Sequence, residues 1–172
     1  MHNTDVKKMA EYALFTALAF IFSYIESLFP LPLPFPGIKL GLANLVILIL
    51  LYRSGFAAAF GISLIRNVLN ALTFGNLFAL FYSLAGSILS LLVMEGLRRI
   101  KPLKLSVITV SAAGGILHNI GQFLIASAIV GPAAVLPYLP FLYFAGLATG
   151  ILIGIFSRML LKRNITYVLL KS

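Results

Sequence analysis

A chain of 172 residues that is 61% hydrophobic and only 10% charged lies outside the range of soluble domains, in which about a quarter of residues are charged. Its length leaves room for five or six membrane spans of roughly 20 residues and none for a separate soluble domain, so 1–172 reads as a single integral membrane domain. The formal charge of +9 points to basic cytoplasmic loops and not to nucleic acid, and the absence of cysteine excludes disulfides, thiolate metal sites and prenyl or palmitoyl anchors.

Breaks marked by charge, Pro and Gly predict six apolar segments, at 10–29, 38–52, 55–74, 77–97, 106–130 and 137–161. The first follows Lys7 and Lys8 in the manner of a signal peptide. It is too long for one and lacks a polar cleavage region, so it is expected to remain as a span. Ala10, Ala13 and Ala17 recur on it at spacings of three and four, a small-residue stripe that lets a partner helix approach closely near the cytoplasmic end.

Between the first and second segments stands FPLPLPFPGIKL, with Pro30, Pro32, Pro34 and Pro36 at alternating positions before Gly37 and Lys39. Such a stretch favours stiff, extended backbone. The reading is a gate loop across the outer mouth of the bundle, turning at Gly37 to deliver Lys39 to the rim. Alternatively the prolines do no more than stop one span and start the next. The second segment is short, about 22 Å of helix against a hydrocarbon core of about 30 Å, which suits a helix sunk within the bundle.

The charges set an orientation. With the N-terminus inside, Lys7, Lys8, Arg53, Arg98, Arg99, Lys101, Lys104, Arg158, Lys162, Arg163 and Lys171 all fall on one side. Lys39 alone falls on the other, and Arg66 lies within a span. Six spans with both termini cytoplasmic satisfy the rule that Lys and Arg mark the inner loops. The expectation is an all-α polytopic bundle in the cell membrane, the inner or plasma membrane of a bacterium.

Polar side chains within spans are costly, about 2.5 to 3.5 kcal/mol for a central Arg on insertion scales, so each invites a functional reading. Here they gather in the outer half: Glu26 on the first segment, Lys39 and Asn44 on the second, Arg66, Asn67 and Asn70 on the third, and His118, Asn119 and Gln122 on the fifth. Ser63, Arg66, Asn67 and Asn70 share one helical face, as do Ser111, Gly115, His118, Asn119 and Gln122. Two such stripes face either each other, as interhelical hydrogen bonds, or a cavity. A cavity with Arg66, Lys39 and His118 against one acid, Glu26, suits a small anionic solute entering from outside. The guanidinium offers a fork for carboxylate or phosphate, and the amides supply neutral hydrogen bonds. Gly146, Gly150 and Gly154 form a further small-residue stripe on the last segment, read as packing within the bundle.

The blocks PGIKLGLAN at 36–44, Arg66-Asn67, Phe74-Gly75-Asn76 and GGILHNIGQ at 114–122 resemble the Gx transporter family, which also carries the label heptaprenyl diphosphate synthase component I. The resemblance covers nearly the whole chain. That family is similar to the S components of energy-coupling factor (ECF) transporters, six-helix binding subunits that dock through an alanine motif on the first helix. The resemblance implies Ala13 and Ala17 as that motif, a membrane coupling subunit and two ATPases as partners, and uptake of a vitamin-like or isoprenoid or quinone-precursor solute. The other label implies a non-catalytic membrane subunit working beside a prenyl synthase. The only aspartate, Asp5, cannot form the paired aspartate motifs that hold magnesium on a diphosphate. No catalytic residues, cofactor or metal site are therefore expected, and the sequence has no phosphate loop of the ATPase type.

Overall fold

The computed structural model describes residues 3–28, 41–100, 102 and 104–163. These form helices α1 (Asn3–Leu28), α2 (Leu42–Arg53), α3 (Phe56–Thr73), α4 (Leu77–Arg99), α5 (Val107–Val130), the one-turn α6 (Pro132–Val135) and α7 (Leu139–Arg163), with a 3-10 turn at Leu136–Tyr138 leading into α7. The chain is an all-α membrane bundle. Five of its helical stretches, the last running Pro132–Arg163, are long and apolar enough to cross a membrane, whereas Leu42–Arg53 is not. At 12 residues it spans about 18 Å.

Local chemistry sets the helix ends. Asn76 caps α4 by accepting from the Ala79 N–H at 2.8 Å, and Ser106 caps α5 by accepting from the Thr109 N–H at 3.1 Å, both common N-cap residues. The second helix starts at Leu42, after Gly41 in a left-handed conformation with φ 81° that a right-handed helix cannot contain; its expected start at residue 38 lies outside the described residues. Having no side chain, Gly41 cannot cap α2 itself. The carboxylate of Glu26 on α1 does so, accepting the Leu42 N–H at 2.8 Å. The first helix starts earlier than expected, at Asn3. Its leading residues, from Asp5 to Met9, are exposed and carry no apolar signal that periodicity could detect.

Helices α2, α3, α4, α5 and α7 close a ring, and α1 packs on α2 and α3. The core gathers around α2, whose Val46, Ile47, Leu48, Leu50 and Leu51 meet Phe15, Ile62, Met94, Val110 and Ile153. A helix surrounded in this way is apolar on every face. Glycine brings α5 and α7 into backbone contact: a Cβ added at Gly115 stands 2.2 Å from the Gly146 carbonyl oxygen, and one added at Gly150 stands 2.7 Å from that of Ser111. On the other side of α5, a Cβ at Gly121 meets the Ala85 carbonyl oxygen of α4 at 2.6 Å. The stripe Gly146, Gly150 and Gly154 is thus an internal packing seam.

This antiparallel order collects the basic residues at one end. There Arg53 Nε donates to Glu11 Oε1 at 2.6 Å, joining α1 to α2. Arg98 stacks over the Tyr52 ring, 5.8 Å from its centroid. Glu95 is buried and takes both Arg98 Nη2 at 2.8 Å and Arg99 Nε at 2.6 Å. With Arg158, Lys162 and Arg163 on the last turns of α7, this end is the one that the charge rule assigns to the inside.

Candidate functional site: a cavity around Arg66

Opposite the basic end, the helices part around a cavity of about 540 Å³, within the range of small-molecule sites. Leu48, Met94 and Ile153 belong to both its lining and the core beneath it, so the core plugs its floor. Glu26, Asn44, Arg66, Asn67, Asn70, His118, Asn119 and Gln122 all line it. The structure therefore brings together eight of the nine binding residues expected from sequence. Lys39 and the gate-loop positions Pro30, Pro32, Pro34, Pro36 and Gly37 lie outside the described residues.

Arg66 is the centre of this constellation. It is 5% exposed, and its Nη1 donates to Asn44 Oδ1 at 3.2 Å while its Nη2 donates to Asn67 Oδ1 at 3.0 Å. Both partners are neutral amides, and Nε has no hydrogen-bond partner among the described residues. The ion pairs among the described residues, Glu11 with Arg53 and Glu95 with Arg98 and Arg99, do not include it. Glu26, expected to balance charge here, lines the cavity while capping α2. Glu26 acts on the guanidinium through its charge without pairing with it directly, so Arg66, hydrogen-bonded to amides alone among the described residues, keeps most of its five donors for something else.

The other side chains divide by role. Asn67 is 1% exposed. It accepts from Arg66 and donates to Ser87 Oγ at 3.0 Å and to the Ser83 carbonyl at 3.4 Å. It is thus a strut between α3 and α4 that sets the guanidinium. Asn119 donates to the Leu142 carbonyl at 2.8 Å, so its amide group already ties α5 to α7. His118 Nε2 and Gln122 Nε2 lie 3.2 Å apart, one turn from each other on α5. Asn70 places its buried Oδ1 on the same wall as Arg66 without a partner.

Sequence reasoning passed over Ser23, Tyr82, Ser90, Met94 and Thr149, which also line the cavity. The spacing of Ser83, Ser87 and Ser90 on one face of α4 was the available signal. Among the described residues there is no group of three or more His, Cys, Asp or Glu side chains able to hold a metal ion. Outside the cavity, Ala10, Ala13 and Ala17 are exposed, whereas Phe15, Ala19 and Ser23 of α1 are buried. The alanine stripe therefore faces away from the bundle.

No curated protein and no solved structure matches the chain. A protein-family model described as heptaprenyl diphosphate synthase component I matches residues 15–160, a range that takes in the ring of helices and every described residue of the Arg66 constellation. The chain belongs to the heptaprenyl diphosphate synthase component I family.

Proposed function

We propose that this protein is a membrane-embedded binding subunit that receives the anionic group of a small molecule at Arg66 and acts through partner proteins. The observation that carries this reading is the buried guanidinium, which lines a cavity and is hydrogen-bonded to two neutral amides with no ion pair among the described residues, Glu26 being engaged in the α2 cap. Burying a charge is tolerated when a counter-charge arrives, so the arrangement is explained by a ligand that brings one. Under the charge rule, the basic residues at the far end support an outward-facing cavity.

The family description favours a component of a prenyl diphosphate synthase system. In that setting the chain is a non-catalytic membrane subunit that holds an isoprenoid diphosphate for a separate synthase. The guanidinium fork suits the phosphate groups, and the single aspartate, Asp5, leaves the magnesium-dependent chemistry to the partner. A second reading rests on the uncovered alanine stripe of α1. It makes the chain an S-component-like uptake subunit, docked by Ala10, Ala13 and Ala17 onto a membrane coupling protein driven by two ATPases.

Purification of the tagged protein from its native membrane, with mass spectrometry of what accompanies it, separates the two. Recovery of a prenyl synthase without ATPases supports the synthase-subunit reading. Recovery of two ATPases and a coupling protein, lost on Ala13→Leu, supports uptake and overturns the first.

A further inference from the structure

The cavity is deeper than a site at Arg66 requires. On α5 its lining recurs every three or four residues, from Val130 through Ala126, Gln122, His118 and Gly115 to Ser111, which is one continuous face of the helix. That face is about 28 Å long at 1.5 Å per residue, close to the roughly 30 Å of a hydrocarbon core. Arg66 stands ten residues from the start of α3 at Phe56, about 15 Å from the basic end. Ser111 is only four residues from the start of α5 at Val107, Met94 five from the end of α4 at Arg99, and Leu48 five from the end of α2 at Arg53. On three helices the lining therefore stops about 6–7.5 Å from the basic end, so the cavity continues about 8 Å past Arg66. This lower chamber is lined by Ser90, Ser111, Gly114 and Gly150, none of which is hydrogen-bonded to the guanidinium. A blind pocket for an anion has no need of it.

About one helical turn of side chains closes the chamber. Leu48, Met94 and Ile153 form its floor and are 1%, 6% and 6% exposed. Beyond them lie Glu95 with Arg98 and Arg99, the last of which is 74% exposed. Met94 reaches across to α5 and covers Gly114: a Cβ added there stands 2.5 Å from Met94 Sδ and 2.7 Å from its Cγ. Leu48 and Ile153 are branched, whereas methionine is unbranched, with three rotatable bonds, and changes shape without moving the backbone.

We infer that the cavity is the open part of a path through the bundle, closed towards the basic end by one layer of side chains centred on Met94. Rotation of Met94 away from Gly114 joins the lower chamber to the water around Arg99 without separating any helices. The chain itself then releases to that side what it holds at Arg66. This last step rests on the anion reading above; the path and its closure do not.

The chain has no cysteine, so a single introduced thiol reports access of water. The test labels the full chain in membrane vesicles with sulfonatoethyl methanethiosulfonate, an anionic reagent that does not cross the bilayer. The vesicle orientation used is the one in which Lys162→Cys, exposed on the last turn of α7, reacts. Ser111→Cys is expected to react slowly from that side, and at least tenfold faster once Met94→Ala is added. Phe15→Ala, a larger truncation of a buried side chain on α1 outside the cavity lining, is expected to leave the Ser111→Cys rate unchanged. Ile153→Ala, in the same layer on another helix, repeats the test if Met94→Ala does not fold. A rate unmoved by Met94→Ala and Ile153→Ala overturns the path, as does a rate raised equally by Phe15→Ala. Rapid labelling with Met94 intact overturns the closure. No ligand enters the experiment, so the anion reading at Arg66 stands or falls separately.

Discussion

Replacing Gly115 by Ala tests how the cavity is framed. A Cβ at this position stands 2.2 Å from the Gly146 carbonyl oxygen and 3.0 Å from the Gly150 Cα, against an ordinary contact that begins near 3.4 Å. The obstacles are backbone atoms, so no rotamer change relieves them, and α5 and α7 must separate by roughly 1.2 Å. Overpacking of this kind costs about 1–3 kcal/mol, set against about 1 kcal/mol of helix propensity gained in replacing Gly. With an obstruction made only of backbone, the upper part of that range applies, and the net loss is about 1–2 kcal/mol. For a chain of this size that lowers Tm by about 2–8 °C. The chain has no tryptophan, so the fraction remaining monodisperse by size-exclusion chromatography after heating is a better readout than intrinsic fluorescence. Gly61→Ala and Gly96→Ala are the controls, since nothing lies within 4 Å of a Cβ at either position. They are expected to hold or raise Tm. A Gly115→Ala variant that melts within a degree of those controls refutes the close α5–α7 seam.

Three further perturbations follow from the same geometry. Gly41→Ala forces a side chain into the left-handed region at φ 81° and is expected to cost about 1–2 kcal/mol, visible as a lowered Tm in the same assay. Glu95→Gln removes the carboxylate shared by Arg98 and Arg99. Because Arg99 is 74% exposed, the expected loss is about 1 kcal/mol or less, shrinking further at high salt. Ala13→Leu enlarges an exposed position on α1, so Tm should stay within the range of about 0.5 kcal/mol typical of surface changes. In the uptake reading it removes the ATPase module from the purified complex, and unchanged recovery of that module contradicts the docking role.

Much of this arrangement was legible in the sequence, and the parts that were not share a cause. Polar residues three and four apart on α3 and α5 mark faces that cannot meet lipid, so the convergence of Arg66, Asn67, Asn70, His118 and Gln122 could be read from spacing alone. The short, mostly apolar α2 could be read as a sunken helix from its length. Spacing along one helix does not say which neighbour that face meets. Hence Glu26 was read as a counter-charge, and its charge does act on Arg66, but its cap on a helix sixteen residues away in sequence was not visible. Asn119 was read as a ligand contact and does line the cavity, but its bond to the Leu142 carbonyl was not visible.

The most direct test of the Arg66 site is native mass spectrometry of wild-type and Arg66→Gln protein released gently from its own membrane. The account predicts that the wild type carries a small-molecule adduct yielding an anionic fragment. Arg66→Gln should lose that adduct while matching or exceeding the wild-type Tm, because it removes a buried charge that the described residues leave without a carboxylate. An adduct kept at equal occupancy in Arg66→Gln, or a variant that loses its fold together with the charge, contradicts the claim that this arginine is held for a ligand.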